Sequence, residues 1–381
     1  MKNHKALYYF LIIILLFPMP KYFGDFVVQK LIMVLIVLFF IKAIYNGYIA
    51  KKLLHILWVQ YLILLLSLVF NLIYINDLYD ILSEVLRYMV FFIIVNGILY
   101  YLKDIPKNKI VSYSINIMFI VIIIQISIDI LYLSPVHDLI HDWFGVAKVS
   151  TRRLRIPGTF ENSNYLAFVI CCVFSFFIII KDKIKVNKGI LISILLLAIV
   201  FFTGSRTGLL TFSILLFYYK PIFFIPVVFI SSGYLYNIIT SSIRYGFILN
   251  ATSGEQLLKI DAIRHRYEII IDSIKIISEN PFFGLMVTPI EITDNYFLMY
   301  MLRYGILPFV LLLIIVTFYI KRSLDIDRVK FFTLIPFIIV FFIFGMTGSF
   351  LDNFRLFFIF GLFLILSIKS ISERELTQRL T

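Results

Sequence analysis

The chain has 381 residues, 61% of them hydrophobic and only 15% charged, with a mean hydropathy of +0.99. That balance excludes a soluble domain and implies a polytopic helical membrane protein; continuous apolar runs, in place of alternating segments of about ten residues, exclude an outer-membrane barrel. The formal charge of +13 is not a nucleic-acid signal, because much of it is lysine at the ends of apolar runs, where anionic lipid headgroups are the natural partners.

Apolar windows of about 17–25 residues fall at 6–23, 26–46, 53–75, 78–102, 110–134, 164–180, 189–204, 207–220, 221–239, 295–320, 330–349 and 352–370. They predict an all-α, polytopic integral membrane protein of about twelve transmembrane helices, a single membrane domain over 1–381. The first window ends Phe17-Pro18-Met19-Pro20-Lys21, with no small-residue cleavage site after it, and reads as a retained span. Cys171 and Cys172 are adjacent inside an apolar run, which favours two small core residues over a disulfide or a metal site.

Charge orients the stack. Lys42, Lys51 and Lys52, then Lys103, Lys107 and Lys109, then Lys181 to Lys188, Lys220, and finally Lys321, Arg322, Arg328 and Lys330 occupy the even-numbered connections. The positive-inside rule then puts both termini in the cytoplasm. Two outer loops, about 134–163 and 240–294, are too long to be simple turns, and long loops in compact proteins are usually functional or disordered. The stretch 264–277 has an amphipathic helical pattern and stops at Glu279-Asn280-Pro281. It is expected to lie on the membrane surface or to pack across the outer ends of the spans.

Arginine breaks the charge rule. Arg152, Arg153, Arg155, Arg206, Arg244, Arg264 and Arg266 all fall on or near the outer face, where topology does not call for them. A surface that grips phosphate oxygens does, because a guanidinium offers two parallel donors. Three constellations follow. In the first, Arg152, Arg153 and Arg155 precede Pro157-Gly158-Thr159-Phe160-Glu161-Asn162-Ser163-Asn164. It reads as an anion-binding lip, or as a solvated loop on lipid phosphates with Asn or Ser capping a helix. In the second, Arg206 sits between small residues in Thr203-Gly204-Ser205-Arg206-Thr207-Gly208. It serves a ligand, or it snorkels from an ordinary turn. The third joins Arg264-His265-Arg266, Asn280-Pro281-Phe282-Phe283-Gly284 and Thr293-Asp294-Asn295-Tyr296. Asp294 is a general base or the partner of an arginine. Arg303, just before Gly305, faces the site or another charge.

The pieces Gly158-Thr159-Phe160-Glu161-Asn162-Ser163-Asn164, Thr203-Gly204-Ser205-Arg206-Thr207-Gly208, Asn280-Pro281-Phe282-Phe283-Gly284, and Asp294-Asn295-Tyr296-Phe297-Leu298 with Tyr304-Gly305 occur in one order. In that order the chain resembles the Wzy-type polysaccharide polymerases and O-antigen ligases of bacterial envelopes, across roughly the last two thirds of its length. The resemblance implies a metal-independent glycosyltransferase with no cofactor, acting on a polyprenyl-diphosphate-linked oligosaccharide at the outer leaflet. It implies a multi-pass protein of the bacterial cytoplasmic membrane whose active site is extracytoplasmic. Besides membrane lipids, a chain-length regulator and a flippase are the partners it suggests. Arg206 matches the arginine of the family's Ser-Arg-Thr-Gly motif, and Arg264 or Arg266 the arginine early in the large loop. Where the ligases typically carry His-Asn, this chain has Asp294-Asn295, which favours polymerisation over ligation to lipid A.

The expected catalytic groups are therefore Asp294, Arg206 and Glu161. The expected substrate-binding groups are Arg152, Arg153, Arg155, Arg264, Arg266, Asn162, Asn164, Asn295 and Arg303. Guanidiniums stabilise charge developing on a diphosphate leaving group. Three other readings stand beside this one: a flippase for lipid-linked oligosaccharides, which predicts internal symmetry; a ligase that moves finished glycan to another acceptor; and a scaffold, which leaves the outer arginines without a ligand.

Overall fold

The computed structural model describes residues 25–70, 78–103, 105, 107–133, 160, 162–184, 186–221, 261–285, 295–311, 313–314, 333–348 and 353–378. Every regular element among them is helical. In chain order they are α1 (Asp25–Tyr45), α2 (Lys51–Phe70), α3 (Leu78–Lys103), α4 (Lys107–Leu133), α5 (Ser163–Ile180), α6 (Val186–Thr203), α7 (Arg206–Tyr219), α8 (Asp261–Glu279), α9 (Tyr296–Tyr304), α10 (Ile335–Gly345) and α11 (Phe354–Gln378). The protein is all-α.

By length and composition, two of the described helices can cross a membrane, Val85–Lys103 within α3 and Ser163–Ile180, which is α5. Shorter apolar helical runs are Val34–Tyr45, Leu54–Phe70, Ser112–Ile128, Lys188–Thr203 and Ile335–Gly345. The windows 6–23 and 221–239 lie outside the described residues but for residue 221.

α5 is the hub. Every residue from Leu166 to Ile180 is buried, as expected for a helix that is apolar all round. It packs against α6, α7, α10 and α11. Cys171 and Cys172 are free thiols within it, fully buried. Aromatic rings set the direction of its neighbours. Phe174 stacks on Phe212 of α7 at 4.3 Å, and Phe177 meets Tyr219 further along, so α5 and α7 run parallel. Phe168 meets Phe360 and Phe176 meets Phe363, so α11 also runs with α5. Phe91 of α3 stacks on Phe357 of α11 at 4.2 Å, and Lys369 Nζ donates to the Leu102 carbonyl near the far end. The first turns of α5, α7 and α11 therefore share one end of the bundle, and the positive ends of their dipoles converge there.

One expected span is not continuous. The window 295–320 breaks at Gly305, whose φ is 89°. The Gly305 N–H closes α9 on the Met301 carbonyl at 2.8 Å. A second helical stretch starts at 306 and brings Phe309 against Phe297 and Tyr300, both at 5.7 Å. The cause is the segment 280–285, which docks onto the break. Leu285 N–H donates to the Leu302 carbonyl at 2.7 Å, and Ile306 N–H donates to the Pro281 carbonyl at 2.8 Å. Gly284, with φ 61°, lies so close that a Cβ there would sit 2.5 Å from the Leu302 carbonyl oxygen. A Cβ on Gly305 would strike the backbone of Phe282.

Candidate functional site

The site is built on helix caps. Asn162 is extended (φ −132°, ψ 133°), and its Oδ1 accepts the Asn164 N–H at 2.9 Å, which starts α5. Ser205 caps α7 in the same manner, its Oγ accepting the Gly208 N–H at 3.1 Å. The turn before it is also internally bonded: Thr203 Oγ1 donates to the Val200 carbonyl at 2.6 Å and accepts the Ser205 N–H at 3.1 Å. These contacts satisfy backbone groups that a helix start leaves without intrahelical partners.

The two caps are joined. Ser205 Oγ donates to Asn164 Oδ1 at 2.7 Å. The approach is possible because α5 and α7 nearly touch here; a Cβ on Gly208 would lie 2.5 Å from the Ala167 Cβ. Cys171 Sγ donates to the Gly208 carbonyl at 3.8 Å across the same contact. With Oδ1 engaged, the Asn164 amide NH2 meets no acceptor among the described residues.

Two arginines lie in first turns at this end of the bundle. Arg206 is the first residue of α7 and is exposed, so its charge carries no burial cost. Arg355 is in the first turn of α11 and is 2% exposed. Its guanidinium carbon lies 4.1 Å from the centroid of Phe160, itself buried and two residues before Asn162. Asn353 starts α11, its Oδ1 accepting the N–H groups of Arg355 and Leu356 at 3.0 and 3.3 Å. A cation in the first turn opposes the helix dipole, at a cost of about 0.3–1 kcal/mol in an exposed setting. An anion held at the junction is attracted by both the dipole and the cation, which offsets that cost. The arrangement suits an anionic group with several oxygens.

α9 reaches the same end. Asn295 caps it, its Oδ1 accepting the Leu298 N–H at 3.0 Å. The Phe297 ring lies against Gly345 in the last turn of α10, where Phe344 meets Phe168 of α5 at 5.3 Å. Arg303 is half-buried in the last turn of α9, and its carbonyl lies 3.4 Å from Ser67 Oγ.

No family model, no curated protein and no solved structure matches the chain. The site therefore stands on its own geometry. Of the residues singled out from sequence, Asn162, Asn164 and Arg206 come together, and Asn295 sits on a helix tied to the same end. Arg264 pairs with Glu268 at 3.8 Å. It lies about 20 Å along α8 from Ile277, at 1.5 Å per residue, and Ile277 is where α8 packs on α9. Arg266 belongs to α8, but its side chain and that of His265 lie outside the described residues. Asp294, Glu161, Arg152, Arg153, Arg155 and Arg244 also lie outside them.

Among the described residues, the backbone of the Asn280–Gly284 motif serves the Gly284–Gly305 joint. Arg355 is not among the residues singled out from sequence. The available signal was Asp352-Asn353 just before an apolar run, a helix-start signature that puts Arg355 in a first turn.

Proposed function

We propose that this protein is an integral membrane glycosyltransferase of about twelve spans that polymerises lipid-linked oligosaccharide repeat units into a capsular or surface polysaccharide. The observation that carries the reading is the junction of the Asn162–Asn164 and Ser205–Arg206 motifs at one end of the bundle, with Arg206 and Arg355 both in first turns at that end. Helix dipoles and guanidiniums converge there, as holding a diphosphate requires. The order of the sequence motifs supports the same chemistry.

In the proposed reaction, a sugar hydroxyl at the non-reducing end of a new lipid-linked unit attacks the anomeric carbon of the growing chain. The bond from that carbon to the polyprenyl diphosphate breaks, and the diphosphate leaves with the electron pair. Asp294 or Glu161 takes the hydroxyl proton or orients the hydroxyl. Arg206 and Arg355 stabilise the charge that develops on the leaving group. The polyprenyl tail stays among the lipids, with the site on the extracytoplasmic side.

The test is polymer length in cells that lack the gene and carry Arg206→Ala or Asn164→Ala, with protein abundance measured. Single repeat units on the carrier at the outer leaflet, without long chains, support polymerisation. Repeat units trapped on the inner leaflet indicate a flippase, and long chains in both variants overturn the assignment of this site.

A further inference from the structure

We propose that α8 lies in the membrane interface, with Tyr267, Ile270, Ile271 and Ile274 among lipid acyl chains and with Arg264 and Lys275 at the headgroup phosphates. The inference rests on the membrane part of the function proposed above.

α8 has three faces. Ser273 and Ile277 are buried, Ile269 and Ile276 partly so, and Ile277 packs with Leu298, Met299 and Leu302 of α9. That accounts for one apolar sector. A second apolar sector, beside it, is uncovered: Tyr267, Ile270, Ile271 and Ile274 are all exposed, Ile274 at 53%. At about 100° per residue, these four form one continuous stripe. A solvated helix packed on a single neighbour needs one apolar stripe; α8 carries twice that width.

Charge identifies what covers the second sector. Passing round the helix from the stripe, Arg264 and Lys275 come first, next to Ile271. Glu268, Glu279 and Asp272 come after them. The cations thus border the apolar stripe on its polar side, and the carboxylates stand farther away. A bilayer surface has the same order: acyl chains, then phosphates, then water. Protein surfaces impose no such sequence. The stripe also continues into a neighbouring exposed apolar surface. Phe282, 62% exposed, follows α8 directly, and the Gly284–Gly305 joint sets it beside the stretch carrying exposed Ile306, Leu307, Val310 and Leu311.

The consequence is positional. α9 packs on α8, so seating α8 in the headgroup layer fixes the depth of Asn295 relative to the lipid phosphates. That depth is where the diphosphate of a lipid carrier sits.

The experiment uses the full chain in phosphatidylethanolamine–phosphatidylglycerol vesicles, with nitroxide attached at Ile270→Cys, Ile274→Cys, Asp272→Cys or Glu279→Cys. All four positions are exposed, and the native thiols are buried. Collision with lipid-dissolved oxygen is compared with collision with a water-soluble nickel chelate. Leu65→Cys in α2 and Ile123→Cys in α4 report whether the bundle itself faces lipid. The expected result is an oxygen preference several-fold greater at Ile270 and Ile274 than at Asp272 and Glu279. If the bundle controls favour oxygen while Ile274 favours the chelate, α8 stands in water and the proposal is overturned. If Ile270 and Ile274 are shielded from both reagents, protein covers the stripe and the proposal is likewise overturned. Chelate access at Leu65 and Ile123 overturns the membrane reading itself.

Discussion

Ser205 Oγ donates to Asn164 Oδ1 at 2.7 Å while accepting the Gly208 N–H at 3.1 Å. One buried hydroxyl thereby caps α7 and fixes the side chain that leads into α5. The pair also sets the direction of the Asn164 amide, because the oxygen is taken and only the NH2 is left to donate.

This separates a structural from a functional role for the pair. Ser205→Ala removes a cap, worth about 1 kcal/mol, and leaves a bonded amide oxygen without its donor, at about 1–3 kcal/mol. Thermal unfolding in detergent is expected to shift down. Asn164→Asp keeps an acceptor for Ser205 but deletes the NH2 and adds negative charge at the proposed diphosphate site. Its melting temperature is expected to stay near that of the unchanged protein, with long polymer lost. Normal polymer from Asn164→Asp means the NH2 does not contact substrate.

The two arginines of the junction are expected to behave differently. Arg206 is exposed and in a first turn, where a cation opposes the helix dipole, so its loss is not expected to lower stability. Arg206→Ala is therefore expected to abolish polymer at unchanged stability. Arg355 is buried against Phe160. Arg355→Ala loses a desolvated cation–π contact of about 2 kcal/mol together with its packing, so both stability and polymer are expected to fall. Equal melting temperatures for the two variants would contradict the buried stacking of Arg355.

The helical class was legible because apolar windows of span length dominate the sequence, and α5, apolar all round, is buried as such a helix must be. The caps at Asn162, Ser205 and Asn295 were legible as residue types, since short polar side chains before apolar runs start helices. What the sequence hid is pairing at a distance. Nothing local says that Ser205 bonds Asn164, or that Arg355 stacks on Phe160. The break at Gly305 was hidden for the same reason. Its flanks read as one apolar run, and the positive φ and the docking of Phe282 and Phe283 that require a glycine there are not visible in the sequence. The Asn280–Gly284 motif belongs by sequence to the third constellation, and its backbone serves the joint.

At the opposite end of the bundle, Asn96 is fully buried in α3 and bonds the loop between α1 and α2 twice. Its Nδ2 donates to the Tyr48 carbonyl at 2.9 Å, and its Oδ1 accepts the Ala50 N–H at 2.9 Å. Burial pushes the Tyr48 phenol above its ordinary pKa. Asn96→Leu strands both backbone groups, and a loss of about 2–6 kcal/mol is expected, at about 1–3 for each. Polymer assembled at low temperature is expected to remain of normal length, because Asn96 is remote from the Ser205 junction. A shift in chain length without a shift in melting temperature would contradict a purely structural role.

The Gly284–Gly305 joint gives the sharpest test of how α9 is held. Ser67 Oγ, fully buried in α2, donates to the Phe283 carbonyl at 2.8 Å and lies 3.4 Å from the Arg303 carbonyl. Phe70 stacks on Phe283 at 4.1 Å beside it. Gly305→Ala forces a side chain into a positive-φ position and into the Phe282 backbone, where no rotamer offers relief. It is expected to abolish accumulation of the folded protein. Ser67→Ala removes the hydroxyl's bonds to the Phe283 and Arg303 carbonyls but leaves both glycines in place, at about 0.5–1.5 kcal/mol per bond. It is expected to accumulate normally but to show faster amide exchange at Leu285 and Ile306, whose N–H groups bond across the joint. Exchange at Leu209, bonded within α7 to the Ser205 carbonyl at 2.9 Å, is expected to be unchanged and serves as the internal reference. Uniform acceleration at all three amides would mean that Ser67 supports the whole bundle and not the joint.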